Sequence, residues 1–141
     1  MDHLIDHIYI GNAEDARNVE LLRSRGIGVI VNLTEVPDPF HDGFDYLQLN
    51  QPDNIPVLPE TLDLFFGFLN SLSGPRPVLI HCSAGISRTA AFTAALLVRR
   101  YGKSWEEALY LVKEKRPCCN PSPILVESLR LHLNGFSPDS R

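Results

Sequence analysis

The sequence predicts a single α/β domain with a mostly parallel central sheet of about four or five strands flanked by helices. Three observations carry that reading. The chain has 141 residues, enough for one core but not two. Short β-branched runs alternate with stretches of helical spacing. An apolar strand also passes through a loop of small residues straight into a helix, the arrangement of a parallel crossover. With 44% hydrophobic and 21% charged residues, the chain is neither a disordered segment nor a fibrous repeat.

Ile8-Tyr9-Ile10 reads as a short strand that turns at Gly11-Asn12. Residues 14–25 carry Ala16, Val19, Leu21 and Leu22 at roughly helical spacing, and Gly26 ends that helix. Residues 27–33 form a β-branched run suited to a buried strand, followed by a Pro-rich, acidic loop over residues 35–42. Another strand is expected over 45–49, a loop over 51–56, and a helix over 59–72 closed by Gly74 and Pro75. Val78-Leu79-Ile80 is the apolar strand that enters the small-residue loop, and residues 90–101 are good helix formers. Ser104 with Glu107 three positions on makes a capping box for a helix to about Lys115. Leu125, Leu129 and Leu133 mark one more helix over 121–133.

Charge and cysteine content narrow the function. Thirteen basic residues stand against 17 acidic ones, a net charge of −4, so neither nucleic acid nor an anionic membrane is the expected partner. The charge is uneven: residues 1–75 hold 3 basic and 12 acidic side chains, residues 76–141 hold 10 and 5. Any anion handling therefore belongs to the second half. Three cysteines, Cys82, Cys118 and Cys119, make no disulfide framework, and residues 1–6 have no signal-like character, so an intracellular, cytoplasmic location is expected. The most apolar stretch, residues 90–98, falls far short of the ~20 residues a membrane span needs. His3, His7, His41 and His132 are too scattered for a metal set, and neither a metal nor another cofactor is expected.

The chemistry concentrates between Cys82 and Arg88. A loop that opens a helix presents several unpartnered amides and the positive end of the helix dipole, which together suit an anion. Here the loop starts with a thiol and ends, six residues on, with a guanidinium; Ser83, Ala84, Gly85, Ile86 and Ser87 between them are uncharged. Gly85 permits backbone angles that let amides converge on one oxyanion, and Arg88 can hold two of its oxygens through a planar fork. The same field favours the thiolate of Cys82, the nucleophilic form. Thr89 stands where its hydroxyl can donate to the sulfur, and Ser87 where it can brace the loop.

His81-Cys82-Ser83-Ala84-Gly85-Ile86-Ser87-Arg88-Thr89 resembles the signature loop H-C-x-A-G-x-S-R-[ST] of the small, atypical dual-specificity branch of the cysteine-based protein tyrosine phosphatases. Ile8-Tyr9-Ile10-Gly11, the segment from Gly26 to Thr34, and Arg116-Pro117 with Pro121 extend the resemblance over roughly residues 5–133. It implies a catalytic domain over residues 1–133 and no cofactor, and the Gly, Ser and Pro content of residues 134–141 marks them as a flexible tail. It also implies hydrolysis of phosphotyrosine, and of phosphoserine and phosphothreonine, on a protein or peptide substrate. In that scheme Cys82 is the nucleophile that becomes a phosphocysteine. Arg88 and the amides of residues 83–88 hold the phosphate, and His81 and Thr89 support them. The family places its general acid on a loop some thirty residues before the cysteine; Asp53, 29 positions upstream between prolines, is the candidate, with Asp42 second. The family pattern ends in Pro-Asn, whereas here Pro121 is followed by Ser122, which leaves open how that turn meets the catalytic loop.

The competing readings are a phosphoinositide or RNA 5′-triphosphate phosphatase, a phosphate-binding module without turnover, and a rhodanese-type sulfurtransferase. Lipid-directed relatives usually carry lysines inside the loop, and positions 83–87 have none. Cys118 and Cys119 are expected to pack rather than to resolve an oxidised Cys82. The charges at Arg99, Arg100, Lys103, Lys113, Lys115 and Arg116 are expected to serve as helix-end charges.

Overall fold

The computed structural model describes residues 1–134. Its five strands are β1 (Asp2–Ile5), β2 (Ile8–Gly11), β3 (Val29–Asn32), β4 (Asp45–Gln48) and β5 (Val78–His81). They lie side by side in the order β1-β2-β5-β3-β4. Every neighbouring pair is parallel except β1 with β2. The helices are α1 (Ala13–Arg17), α2 (Val19–Ser24), α3 (Pro59–Ser71), α4 (Arg88–Tyr101), α5 (Trp105–Lys115) and α6 (Pro123–Asn134). Beyond residue 134, the expected tail lies outside the described residues.

Strands β2 to β5 alternate their side chains between two cores. Ile30 and Leu79 join Ala16, Leu22 and Ile27 beneath α1 and α2. Val29, Val31, Val78 and Ile80 face the larger cluster built with α3, α4, α5 and α6. Central β5 is buried at all four positions, as a strand covered on both faces must be. Ala90, Ala91, Ala94 and Ala95 are fully buried along α4, and their small side chains let this helix pack closely within the core. Gly102, at φ 66°, ends it in a left-handed turn.

The register puts Gly11, His81 and Asn32 in one row at the carboxyl ends of β2, β5 and β3. The loops that follow these strands therefore meet at one edge of the sheet, where parallel α/β folds place their ligands.

Two expectations need correction. The single helix over 14–25 is two helices, because Asn18 ends α1 and starts α2, its side chain accepting from the Leu21 amide. An asparagine offering a side-chain acceptor stabilises a cap better than a helix interior. The N-terminal residues, assigned no element from sequence, form β1, which pairs Asp2 with Ile10 and His3 with Tyr9. Smaller shifts occur at element ends; α4, for example, begins at Arg88 rather than Ala90. Among the described residues, no helix is long and apolar enough to cross a membrane, and no three His, Cys, Asp or Glu side chains are grouped to hold a metal.

Candidate active site

Five consecutive carbonyls of the loop after β5 are tied from outside. His81 Nδ1 lies 3.1 Å from the Cys82 carbonyl, and the Ala13 amide donates to Ser83 O at 3.0 Å. Arg116 donates through Nη2 to Ala84 O at 3.2 Å and through Nε to Gly85 O at 2.7 Å. The Asn120 amide donates to Ile86 O at 3.0 Å. Since the two polar groups of a peptide plane point in opposite directions, carbonyls held outward turn the following amides inward. The result is a nest of N–H groups in front of Cys82.

Gly85 makes this curl possible. Its φ is +70°, and a Cβ there would stand 2.5 Å from Gly11 O and 2.7 Å from Arg116 Nη2. Cys82 is buried, and its sulfur receives the Thr89 hydroxyl at 3.0 Å and the Thr89 amide at 3.4 Å. A first-turn amide of α4 is thus spent on the sulfur, beside the hydroxyl contact expected of Thr89.

His81 does not line the cavity. Its ring is buried between two oxygens, with Nε2 2.6 Å from Asp38 Oδ2 and Nδ1 facing the Cys82 carbonyl. Both ring nitrogens thus face acceptor oxygens, and Asp38 orients the ring from behind. Asp38 in turn is positioned by Tyr46, whose hydroxyl accepts from the Asp38 amide at 3.0 Å and from Asn32 Nδ2 at 2.9 Å. Burial raises the pKa of the Tyr46 hydroxyl above its ordinary value.

Arg88 Nη1 donates to Glu35 Oε1 and to the Gln51 carbonyl, both at 3.0 Å. The guanidinium is thereby anchored from one edge, in a position to offer its remaining donors to an oxyanion. Asp53 also reaches the loop: its Oδ1 accepts from Ser87 Oγ at 2.8 Å and from the Asn54 amide at 3.0 Å. Asp53, Cys82, Ser83, Ala84, Ile86, Ser87 and Arg88 surround one cavity of about 310 Å³. The structure therefore brings Cys82, Ser83, Ala84, Ile86, Ser87, Arg88 and Asp53 around one space, while Gly85, Thr89 and His81 shape or support the loop without lining it. Asp42, the second candidate acid, does not line this cavity.

Sequence reasoning misses the outer supports. It assigns Arg116 to the helix-end charges, yet this residue holds two loop carbonyls and pairs through Nη1 with Asp2 at 2.8 Å, linking the loop to β1. Burial works to lower its pKa, but the bond it donates to Asp2 and the nearby Cys118 outweigh that, so the net shift is upward. Its only sequence signal is the Arg116-Pro117 pair. Asp38, Glu35 and Gln51 leave no local signal beyond an acidic loop. Cys119 is buried beneath Gly85, its sulfur 3.9 Å from that carbonyl; burial first, and then Cys118, push its pKa to about 11, so it remains a thiol. Cys118 is exposed. The turn at Pro121-Ser122 meets the loop through backbone: the Ser122 amide donates to Ser87 Oγ at 3.0 Å, which needs no asparagine side chain.

Residues 8–134 match the family model of the dual specificity phosphatase catalytic domain. Human dual specificity protein phosphatase 16 is 34% identical over 124 residues, covering 84% of this chain and 18% of its own. Mouse dual specificity protein phosphatase 15 is 31% identical over 127 residues, covering 87% and 53%. This chain spans less than two-thirds of the length of these curated relatives. Among solved structures, a mouse putative dual specificity phosphatase complexed with zinc tungstate superimposes with a TM-score of 0.84 at 28% identity, covering 93% of this chain and 84% of that one. The structure of human DUSP28 gives a TM-score of 0.86 at 25% identity, with 95% and 96% covered.

Proposed function

We propose, from the premise that the chain belongs to the dual-specificity phosphatase family of cysteine-based phosphatases, that it hydrolyses phosphotyrosine and also phosphoserine and phosphothreonine in proteins. Cys82 Sγ attacks phosphorus, an S–P bond forms, and the bond to the substrate oxygen breaks. Asp53 gives that oxygen its proton. Water then attacks the phosphocysteine and yields its proton to Asp53; the S–P bond breaks, and the Thr89 hydroxyl donates to the departing sulfur. In both steps the amide nest and Arg88 take the charge that grows on the equatorial oxygens.

One observation carries this reading: a sulfur, a guanidinium and a carboxylate surround a single cavity of about 310 Å³ floored by inward amides. No lysine stands among residues 83–87, so nothing in the loop adds charge for a polyphosphorylated headgroup. The mouse relative is complexed with zinc tungstate. Tungstate is a tetrahedral oxyanion like phosphate, and the nest in this chain is shaped for that class.

The test is Cys82→Ser together with substrate profiling. The variant should lose hydrolysis of a phosphotyrosine peptide by at least ~10⁴-fold while still binding it. The native protein should act on phosphotyrosine and phosphothreonine peptides in preference to phosphoinositides or triphosphorylated RNA. Substantial turnover by the serine variant would remove Cys82 as nucleophile, and a preference for either non-protein substrate would overturn the substrate class.

A further inference from the structure

Three serines directly precede helices among the described residues, Ser87, Ser104 and Ser122, and of these Ser104 and Ser87 put their hydroxyls to different uses. Ser104 precedes α5 with extended backbone (φ −68°, ψ 162°); its hydroxyl accepts from the Glu107 amide, and Glu107 returns the bond to the Ser104 amide. This is how a serine ordinarily stabilises a helix, by about 1 kcal/mol. Ser87 holds the same place before α4 but has helical angles (φ −100°, ψ −66°) and makes no side-chain cap. A residue type suited to capping thus forgoes the cap, and such local departures from propensity concentrate where function competes.

The Ser87 hydroxyl is engaged elsewhere. It accepts from the Ser122 amide at 3.0 Å and donates to Asp53 Oδ1 at 2.8 Å. A hydroxyl has one proton. The Ser122 amide brings its own hydrogen, so the serine proton is directed to the carboxylate. Oδ1 receives a second bond from the Asn54 amide. One carboxylate oxygen is therefore occupied by two donors, and the other, Oδ2, is the atom left to carry a transferable proton.

We propose that Ser87 is a positioning residue for the general acid: its hydroxyl, aimed by the Ser122 amide, fixes Asp53 by Oδ1 so that Oδ2 faces the leaving-group oxygen. The proposal rests on Asp53 being the acid. It extends that reading by giving the catalytic loop two duties, binding the oxyanion through backbone and setting the proton donor through one side chain. It also gives the absent cap a use, since the Thr89 amide, a first-turn donor that a capping oxygen could take, stays on the Cys82 sulfur.

The experiment compares two substrates, a phosphotyrosine peptide, whose phenolate leaves with a proton, and dinitrophenyl phosphate, whose leaving group departs without one. Asp53→Asn should slow the peptide about a hundredfold and dinitrophenyl phosphate far less. Ser87→Ala should slow the peptide about tenfold in kcat, cost dinitrophenyl phosphate no more than a few-fold, and leave orthovanadate inhibition near its native strength. Ser87→Thr, which keeps the hydroxyl, should recover most of the loss. In the Asp53→Asn background, Ser87→Ala should add nothing further, because its effect passes through the carboxylate.

Equal losses on both substrates, weakened orthovanadate inhibition, or a full additional loss in the double variant would make Ser87 a support of the loop alone and overturn the inference. An Asp53→Asn variant with no difference between the two substrates would instead remove Asp53 as the acid. Should Ser87→Ala not fold, Ser87→Gly removes the hydroxyl without added bulk and carries the same comparison.

Discussion

The two loops that face each other across the cavity are held in opposite ways. The catalytic loop over residues 82–88 is fixed from α1, from Arg116 at the end of α5, from the turn at Asn120 and from His81 backed by Asp38. The loop that carries Asp53 is tied at its start, where the Gln51 amide donates to Leu33 O and the Gln51 carbonyl accepts from Arg88, and beyond that by the Gln51 side chain, which donates to Pro52 O and Ile55 O, and by the bridge from Ser87 to Asp53. It also contains left-handed residues at Asn50 and Asn54, positions where asparagine is tolerated because its side chain can bond locally. Oxyanion stabilisation gains from donors that need no reorganisation, whereas a proton donor must let substrate in and product out. On the proposed reading, the contrast sets an oxyanion loop tied from many elements against a proton donor tied by fewer side-chain bonds.

The largest expected break in that contrast is Gly85→Ala. The new Cβ would meet Gly11 O at 2.5 Å, and backbone of β2 has little room to yield. The left-handed φ of +70° adds about 1–2 kcal/mol for a residue with a Cβ. Turnover of dinitrophenyl phosphate should fall at least ~100-fold with loss of orthovanadate inhibition. Retained orthovanadate binding would show that the nest does not depend on this curl.

What the sequence disclosed follows the same division. The proposed oxyanion cradle is legible because its parts are contiguous: Cys82, Gly85, Arg88 and Thr89 share one short segment bracketed by a strand and a helix. Asp53 was legible through the family resemblance and its proline-flanked place. The supports were not, because each is a pairing between distant positions. His81 meets Asp38 across 43 residues, Arg116 meets Asp2 across 114, and Arg88 meets Glu35 across 53. No local pattern announces such partners. The fold shows the same limit: apolar spacing exposed the helical stretch over 14–25 but not its break, which depends on Asn18 capping in both directions. β1 becomes a strand through pairing with β2, not through its own composition.

Arg116→Ala is expected to have the next largest effect. It removes the guanidinium from two loop carbonyls and from Asp2, at a cost of about 2 kcal/mol and hence roughly 5 °C in Tm. Orthovanadate inhibition and KM for a phosphotyrosine peptide should both weaken about tenfold as the loop loses its outer tie. Both substrates of differing leaving group should suffer alike, because the nest acts before proton transfer matters. A loss confined to the peptide would place Arg116 with the acid and blur the distinction between the loops.

The smallest effect tests the other side. Gln51 is 3% exposed, and its side-chain amide spans the turn that presents Asp53, while its backbone carbonyl receives Arg88. Gln51→Met keeps most of the volume and the backbone bond to Arg88 but removes the two donated hydrogen bonds. Pro52 and Ile55 are exposed, so water can satisfy the freed carbonyls and the stability cost should stay near ~1 kcal/mol. Orthovanadate inhibition should hardly change, because no contact of the nest is touched. The rate on a phosphotyrosine peptide should drop a few-fold while dinitrophenyl phosphate is spared, since a loosened turn misplaces the proton and nothing else. If Gln51→Met instead weakened oxyanion binding as Arg116→Ala is expected to, the carbonyl that anchors Arg88 would be moving with the turn. The two loops would then be one mechanical unit rather than a rigid cradle and an adjustable acid.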